Sequence, residues 1–127
     1  MRQLALVGFA LTVTMLPACQ VRTSPHRTSL SHVVIFNMAD PTQADALIQD
    51  SDRFLTKIEA VESYACGKHI ETGRSVVLDD YEVALVVGFD SEADYTAYLE
   101  DPLHTEFLKL WSAQIDDIRI YDIHDPR

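Results

Sequence analysis

The spacing of hydrophobic residues along the chain predicts alternating strands and helices. Ser31–Met38 is rich in β-branched and aromatic residues, which predicts a strand in which Val34, Phe36 and Met38 share one face with His32. Between Pro41 and Ile58 apolar residues recur every three or four positions, which is the spacing of an amphipathic helix. Residues Glu82–Phe89 are almost all apolar, which predicts a strand buried on both faces. Two further strands are predicted at Val61–Glu71 and Ile115–Ile123.

Polar residues mark where the helices begin. Asp40-Pro41 and Asp101-Pro102 each place a capping Asp before a Pro at the first helical position. Ser91 and Asp94 match a capping box, in which each side chain bonds a backbone N–H group. Because a residue before Pro avoids the helical conformation, one helix ends at Asp101 and another begins there. The predicted order is β-α-β-β-α-α-β, a ferredoxin-like α+β fold.

The predicted sheet carries apolar residues on both of its faces, and the helices can cover only one. The other face therefore needs a partner that is itself apolar and flat. We predict a homodimer with two-fold symmetry, in which two sheets pack face to face and form a dimeric α/β barrel.

Residues 1–18 have the pattern of a cleavable signal peptide. Arg2 precedes the apolar stretch Leu4–Leu16, which is shorter than the roughly 20 residues that span a bilayer. The segment ends in Leu16-Pro17-Ala18-Cys19, which resembles the bacterial lipobox, so Cys19 is the predicted site of lipidation. An ordinary signal peptide followed by an incidental Cys remains the alternative.

These features predict three parts of the chain and its location. Residues 1–18 are the signal peptide, residues 19–30 the lipid-bearing Cys and a flexible tether, and residues 31–127 the domain. The lipid would anchor the protein to a membrane of the cell envelope, outside the cytoplasm. In a Gram-negative source we expect the outer membrane, with the domain facing the periplasm.

Charge and residue spacing exclude several classes of function. The net charge is −10, and removal of the signal peptide makes it one unit more negative. Nucleic-acid binding needs clustered Lys and Arg, so no nucleic-acid partner is expected. The histidines lack zinc-type spacing and Cys66 has no neighbouring Cys, so we predict no metal and no cofactor. His69 and Glu71 lie two residues apart and could still share a ligand. Cys66 is expected to be buried, with pairing between chains as the alternative.

Three segments resemble the stress-responsive A/B barrel (Dabb) family: His32–Phe36, Tyr81–Ser91 and Tyr95–His104. The family pattern has a His in the first strand, an apolar third strand that ends Phe-Asp/Glu-Ser, and a Tyr followed by a His-Pro-x-His turn. Here Asp101 replaces the first His of that turn, and His104 is the second. The resemblance covers residues 31–123 and implies a dimeric ferredoxin-like barrel. A carboxylate at Asp101 would raise the pKa of His104 if the two approach.

The resemblance also implies a site. The Tyr98–His104 turn is similar to that of plant polyketide cyclases of the olivetolic acid type, in which a Tyr and a His form an acid–base pair. Tyr98 and His104 are therefore the candidate catalytic residues. A His can remove a proton, and a Tyr hydroxyl can stabilise the resulting enolate. The candidate ligand-binding residues are His32, Asp101, Phe107 and Trp111.

Three hypotheses for function follow from these observations. The leading one is a membrane-anchored dimeric barrel that binds a small apolar or aromatic molecule. The second is a cofactor-free acid–base enzyme that uses Tyr98 and His104. The third is a non-catalytic interaction protein of the cell envelope, in which Tyr98 is a core aromatic residue and His104 is structural.

Overall fold

An antiparallel sheet of four strands forms one layer of the protein, whose computed structural model describes residues 27–126. The signal peptide, Cys19 and most of the tether lie outside the described residues. The strands are β1 (Leu30–Met38), β2 (Ser63–Gly67), β3 (Val83–Phe89) and β4 (Ile115–His124). Their order in the sheet is β2-β3-β1-β4, so β2 and β4 are the edge strands.

Helices on one face of the sheet form the second layer. They are α1 (Ala44–Phe54), α2 (Glu92–Glu100) and α3 (Pro102–Trp111). Short 3₁₀ turns flank α1 at Pro41–Gln43 and Leu55–Lys57, and a third, Ser112–Gln114, follows α3. This order confirms the predicted ferredoxin-like α+β fold. Within residues 27–126, no helix has both the length and the apolar character needed to cross a membrane.

Two of the predicted helix starts show how local chemistry sets these boundaries. The Asp40 carboxylate accepts a hydrogen bond from the Thr42 backbone N–H at 3.0 Å. The Ser91 hydroxyl oxygen accepts one from the Asp94 backbone N–H at 3.1 Å. The capping box at Ser91 is only half formed, because the Asp94 carboxylate accepts from the Ser91 hydroxyl at 2.6 Å. The prediction that it accepts from a backbone N–H group is wrong.

Strand β2 is shorter than the predicted Val61–Glu71. Its last residue, Gly67, pairs with Ala84, and β3 begins one residue before that position. A strand continues only as far as its partner offers backbone groups, so residues 68–82 form a long loop. The other three strands start and end within one residue of the predicted bounds.

The hydrophobic core lies between the sheet and the helices. Alternate residues of β1 and β3 point toward the helices and are buried, and α1 contributes Leu47, which is fully buried. The described residues leave the opposite face of the sheet uncovered. Val86 lies there in the middle of β3 and is 38% exposed, so residues 27–126 of one chain do not bury β3 on both faces as the sequence predicts.

Candidate functional site

A cavity of about 310 Å³, called the main cavity below, lies between the sheet and the pair α2 and α3. It opens over β4, because the helices do not extend across this edge strand and leave Ile118 and Ile120 half exposed. Most of its wall is apolar. The lining residues are His32, Val34, Phe36, Leu85, Tyr95, Tyr98, Leu99, His104, Phe107, Leu108, Trp111, Ile115, Ile118, Ile120 and Asp122.

His32 forms a hydrogen-bonded group with two residues of the cavity wall. Alternation along β1 points His32 toward the helices, and the register of β1 with β4 places Asp122 directly opposite. The distance from His32 Nδ1 to Asp122 Oδ1 is 2.6 Å, and the Tyr95 hydroxyl donates to Asp122 Oδ2 at 3.1 Å. Because a carboxylate only accepts, His32 donates from Nδ1–H, which leaves Nε2 as the acceptor atom of a neutral imidazole.

The two candidate catalytic residues are in contact. The rings of Tyr98 and His104 lie with centroids 4.5 Å apart, and both side chains are buried. Tyr98 lies in the last turn of α2 and His104 in the first turn of α3, so the helix break at Asp101 brings them together. His104 Nδ1 lies 3.2 Å from the Leu99 carbonyl oxygen, so Nδ1 donates and Nε2 keeps its lone pair.

Burial controls the protonation of this pair. Burial lowers the pKa of His104 below its ordinary value, and the nearby His32 lowers it further. The hydrogen bond to Leu99 and the charge of Asp101 act in the opposite direction but are outweighed. Asp101 thus has the expected raising effect, but burial outweighs it and the net shift of this pKa is downward. Burial also raises the pKa of Tyr98 well above its ordinary value. At neutral pH the site thus holds a neutral imidazole and a protonated phenol.

Of the other predicted ligand-binding residues, two line the main cavity with His32 and one does not. Phe107 and Trp111 are buried in the cavity wall, and the Trp111 indole N–H donates to Asp50 Oδ2 at 3.2 Å. Asp101 does not belong to the described residues that line the cavity. Its carboxylate accepts from the Leu103 backbone N–H at 2.7 Å, which is the capping bond that begins α3.

Sequence reasoning missed Tyr95 and Asp122. Tyr95 lies three residues before Tyr98, so both occupy neighbouring positions on one helix face, and this spacing is a signal that could have identified it. Asp122 continues the alternate positions of Ile118 and Ile120, which also line the cavity. Its contact with His32 depends on the register of two strands that are distant along the chain, and no local pattern reveals that.

Cys66 does not lie in the wall of the main cavity. It is half buried, on the helix side of β2, where burial raises the pKa of its thiol above the ordinary value. Within the described residues it forms no disulfide. Pairing with another chain stays a prediction.

Comparison with known proteins finds a relative by sequence and many proteins of similar fold. A protein of Arabidopsis thaliana that contains a stress-response A/B barrel domain is 24% identical over 95 residues, which cover 75% of this chain and 85% of that protein. A dimeric ferredoxin-like protein of unknown function from Thermobifida fusca is similar in structure, with a TM-score of 0.64 and 21% identity over 76% of this chain and 90% of its own.

A hydroxynitrile lyase from Passiflora edulis has the same fold, with a TM-score of 0.65 and 18% identity over 77% of this chain and 94% of its own. At this level of identity the structural matches establish the fold alone. The model of the Stress responsive A/B Barrel Domain family matches residues 30–125, which include all four strands and all three helices described above. The chain therefore belongs to the stress-responsive A/B barrel (Dabb) family.

Proposed function

We propose that the main cavity binds a small apolar or aromatic molecule. The observation that carries this proposal is the composition of the cavity wall, which is mostly apolar and holds a few polar groups that contact one another. Ligand sites in proteins commonly combine such walls with a few polar groups that orient the ligand. Their volumes are roughly 300–1,000 Å³, so a cavity of about 310 Å³ suits a small molecule.

The proposal includes a homodimer formed through the uncovered face of the sheet. In the single chain Val86 and Tyr121 are exposed on this face, and Val33 and Ile35 are only partly covered. A sheet face with several exposed apolar residues favours packing against a second sheet. The structural relative from Thermobifida fusca is described as dimeric, which supports the same arrangement here.

Native mass spectrometry tests both parts of this proposal. We expect a dimer that retains extra mass of a bound molecule, and Trp111 fluorescence that changes when that molecule is added back. Leu108→Trp should reduce affinity at least about tenfold, because Leu108 lines the cavity and a larger side chain fills it. Leu110→Trp is the matched control, since Leu110 is equally exposed on the same helix but lies outside the cavity wall.

Two results would contradict the binding proposal. One is a dimer without extra mass whose Trp111 fluorescence is unchanged across a library of small hydrophobic compounds. The other is an equal loss of affinity in Leu108→Trp and Leu110→Trp, which would mean that the molecule does not bind in the main cavity. A monomer at micromolar concentration would contradict the homodimer.

A second candidate function is acid–base catalysis on a small carbonyl compound. Two observations favour it: the contact of Tyr98 with His104, and the bonding of His32 to Asp122. A neutral imidazole Nε2 can take a proton from carbon, and a buried phenol can donate a hydrogen bond to the enolate oxygen. The structural relative from Passiflora edulis, a lyase of the same fold, adds support. Exchange of the α-protons of a 1,3-diketone in D₂O, followed by NMR, measures this reaction directly.

We also propose the lipid anchor at Cys19, which rests on the sequence of residues 16–19 alone. Cells that express the full chain should incorporate labelled palmitate into the protein, and Cys19→Ala should remove the label and release the protein from the membrane fraction. Cys66→Ala is the control and should keep both properties. A Cys19→Ala protein that remains in the membrane fraction with unchanged labelling would contradict the anchor.

A further inference from the structure

The loop between β2 and β3 forms a second, polar cleft, called the loop cleft below. One ring nitrogen of His69 and one carboxylate oxygen from each of Glu71 and Asp79 lie within 4.8 Å of one another. These residues line a space of about 380 Å³, and none of the described residues lines both this cleft and the main cavity. The sequence alone predicts no metal and indicates only that His69 and Glu71 could share a ligand. Asp79 lies near the other end of this loop along the chain, and the path of the loop brings its carboxylate close to His69 and Glu71.

Within residues 27–126, the imidazole of His69 lacks a hydrogen-bond partner on one side. Its Nδ1 atom is buried and has no hydrogen-bond partner among the described residues. The ring is oriented edge-on against Tyr81, with centroids 6.2 Å apart and planes at 87°. A buried polar atom without a partner is destabilising, and an ion or water bound at Nδ1 would remove that cost. This observation concerns the imidazole and is independent of the two carboxylates.

The two carboxylates are also placed to accept a cation. Glu71 Oε1 accepts from the Gly73 backbone N–H at 2.6 Å, which orients the carboxylate. Gly73 has a φ of +68°, a conformation that favours glycine and forms this turn. Asp79 makes no hydrogen bond or ion pair within residues 27–126, and Arg74 lines the cleft without an ion pair in the same part of the chain. Two carboxylates close together repel each other, and a divalent cation removes that repulsion.

The type of donor atom selects the metal. One imidazole nitrogen and two carboxylate oxygens suit Zn²⁺ and similar first-row divalent ions, whereas Ca²⁺ and Mg²⁺ take oxygen ligands. We propose that His69, Glu71 and Asp79 bind one such ion, with a fourth position open to water. Zn²⁺ bonds to N and O are about 2.0–2.2 Å long, so the donors must move slightly closer. The exposed loop of residues 68–82 can make that movement. The ion would then link the end of β2 to the start of β3.

The test uses purified full-length protein without a histidine tag, treated with EDTA and then titrated with Co²⁺ alone. We expect one Co²⁺ per chain, with a visible absorption band from direct ligation, which Zn²⁺ displaces. His69→Ala should abolish the band, and Glu71→Gln and Asp79→Asn should each weaken binding at least about tenfold. The controls are His124→Ala and Asp116→Asn, which change an exposed His and an exposed Asp outside the loop cleft.

A second measurement distinguishes this site from ligation elsewhere in the chain. Zn²⁺ should raise the midpoint of thermal unfolding of the unchanged protein and of both controls, and leave that of His69→Ala unchanged, because binding to the folded state stabilises it. Absence of Co²⁺ binding in the unchanged protein would overturn the proposal. Binding to His69→Ala with the same affinity would also overturn it, and would place the ion on other residues such as the thiols.

Discussion

Phe89→Ala is expected to lower the free energy of unfolding by about 3–5 kcal/mol, the range measured when a buried aromatic side chain is removed. Phe89 is fully buried at the end of β3, and its ring centroid lies 5.3 Å from that of Tyr95 and 5.1 Å from that of Tyr98. Removal leaves a cavity beneath both tyrosines. Because small domains are stable by about 5–15 kcal/mol, this loss is large enough to unfold part of the population.

Urea denaturation followed by circular dichroism measures this effect, at one protein concentration because dimerisation contributes to stability. Phe54→Ala is the matched control. Phe54 is only partly buried and its ring contacts the guanidinium of Arg53, so its removal should cost clearly less. Equal losses in the two variants, or a loss below about 1 kcal/mol for Phe89→Ala, would contradict the core position of Phe89.

The parts of the fold that the sequence predicts correctly are those determined by neighbouring residues. The β-branched and aromatic residues of Ser31–Met38 identify β1, and Asp101-Pro102 identifies the break between α2 and α3, because both patterns act within a few residues. The length of β2 could not be predicted in the same way. It depends on how far β3 extends beside it, and Gly67 is the last residue that finds a partner.

In the candidate site too, the sequence predicts contacts between nearby residues but not those that depend on the fold. The contact between Tyr98 and His104 follows from a helix break that the sequence contains, although the spacing alone does not show which way the two side chains face. The partner of His32 could not be predicted, because Asp122 reaches it only through the register of β1 and β4. The direction of the His104 pKa shift also depends on the fold. Burial exceeds the effect of Asp101, and burial is a property of the packed structure.

Asp122→Asn is expected to reduce α-proton exchange of a 1,3-diketone about 10²–10⁴-fold if His32 is the base, the usual contribution of a positioned acid–base group. The Asp122 carboxylate accepts from two donors, His32 Nδ1–H and the Tyr95 hydroxyl. An amide at this position has one acceptor oxygen, so one of the two partners then faces the amide N–H₂ group. When N–H₂ faces His32, it favours the other tautomer, in which Nε2 carries the proton and cannot accept another.

Two measurements separate this positioning role from a general loss of structure. The ¹⁵N chemical shifts of His32 should report the change of tautomer, while the unfolding midpoint moves little because the Asp122 side chain is 44% exposed. Asp116→Asn, on the same strand but outside the main cavity, should leave exchange unchanged. If His104 is the base instead, His104→Ala abolishes exchange and Asp122→Asn has only a small effect. An exchange rate that neither variant alters would contradict catalysis in the main cavity and leave ligand binding as its function.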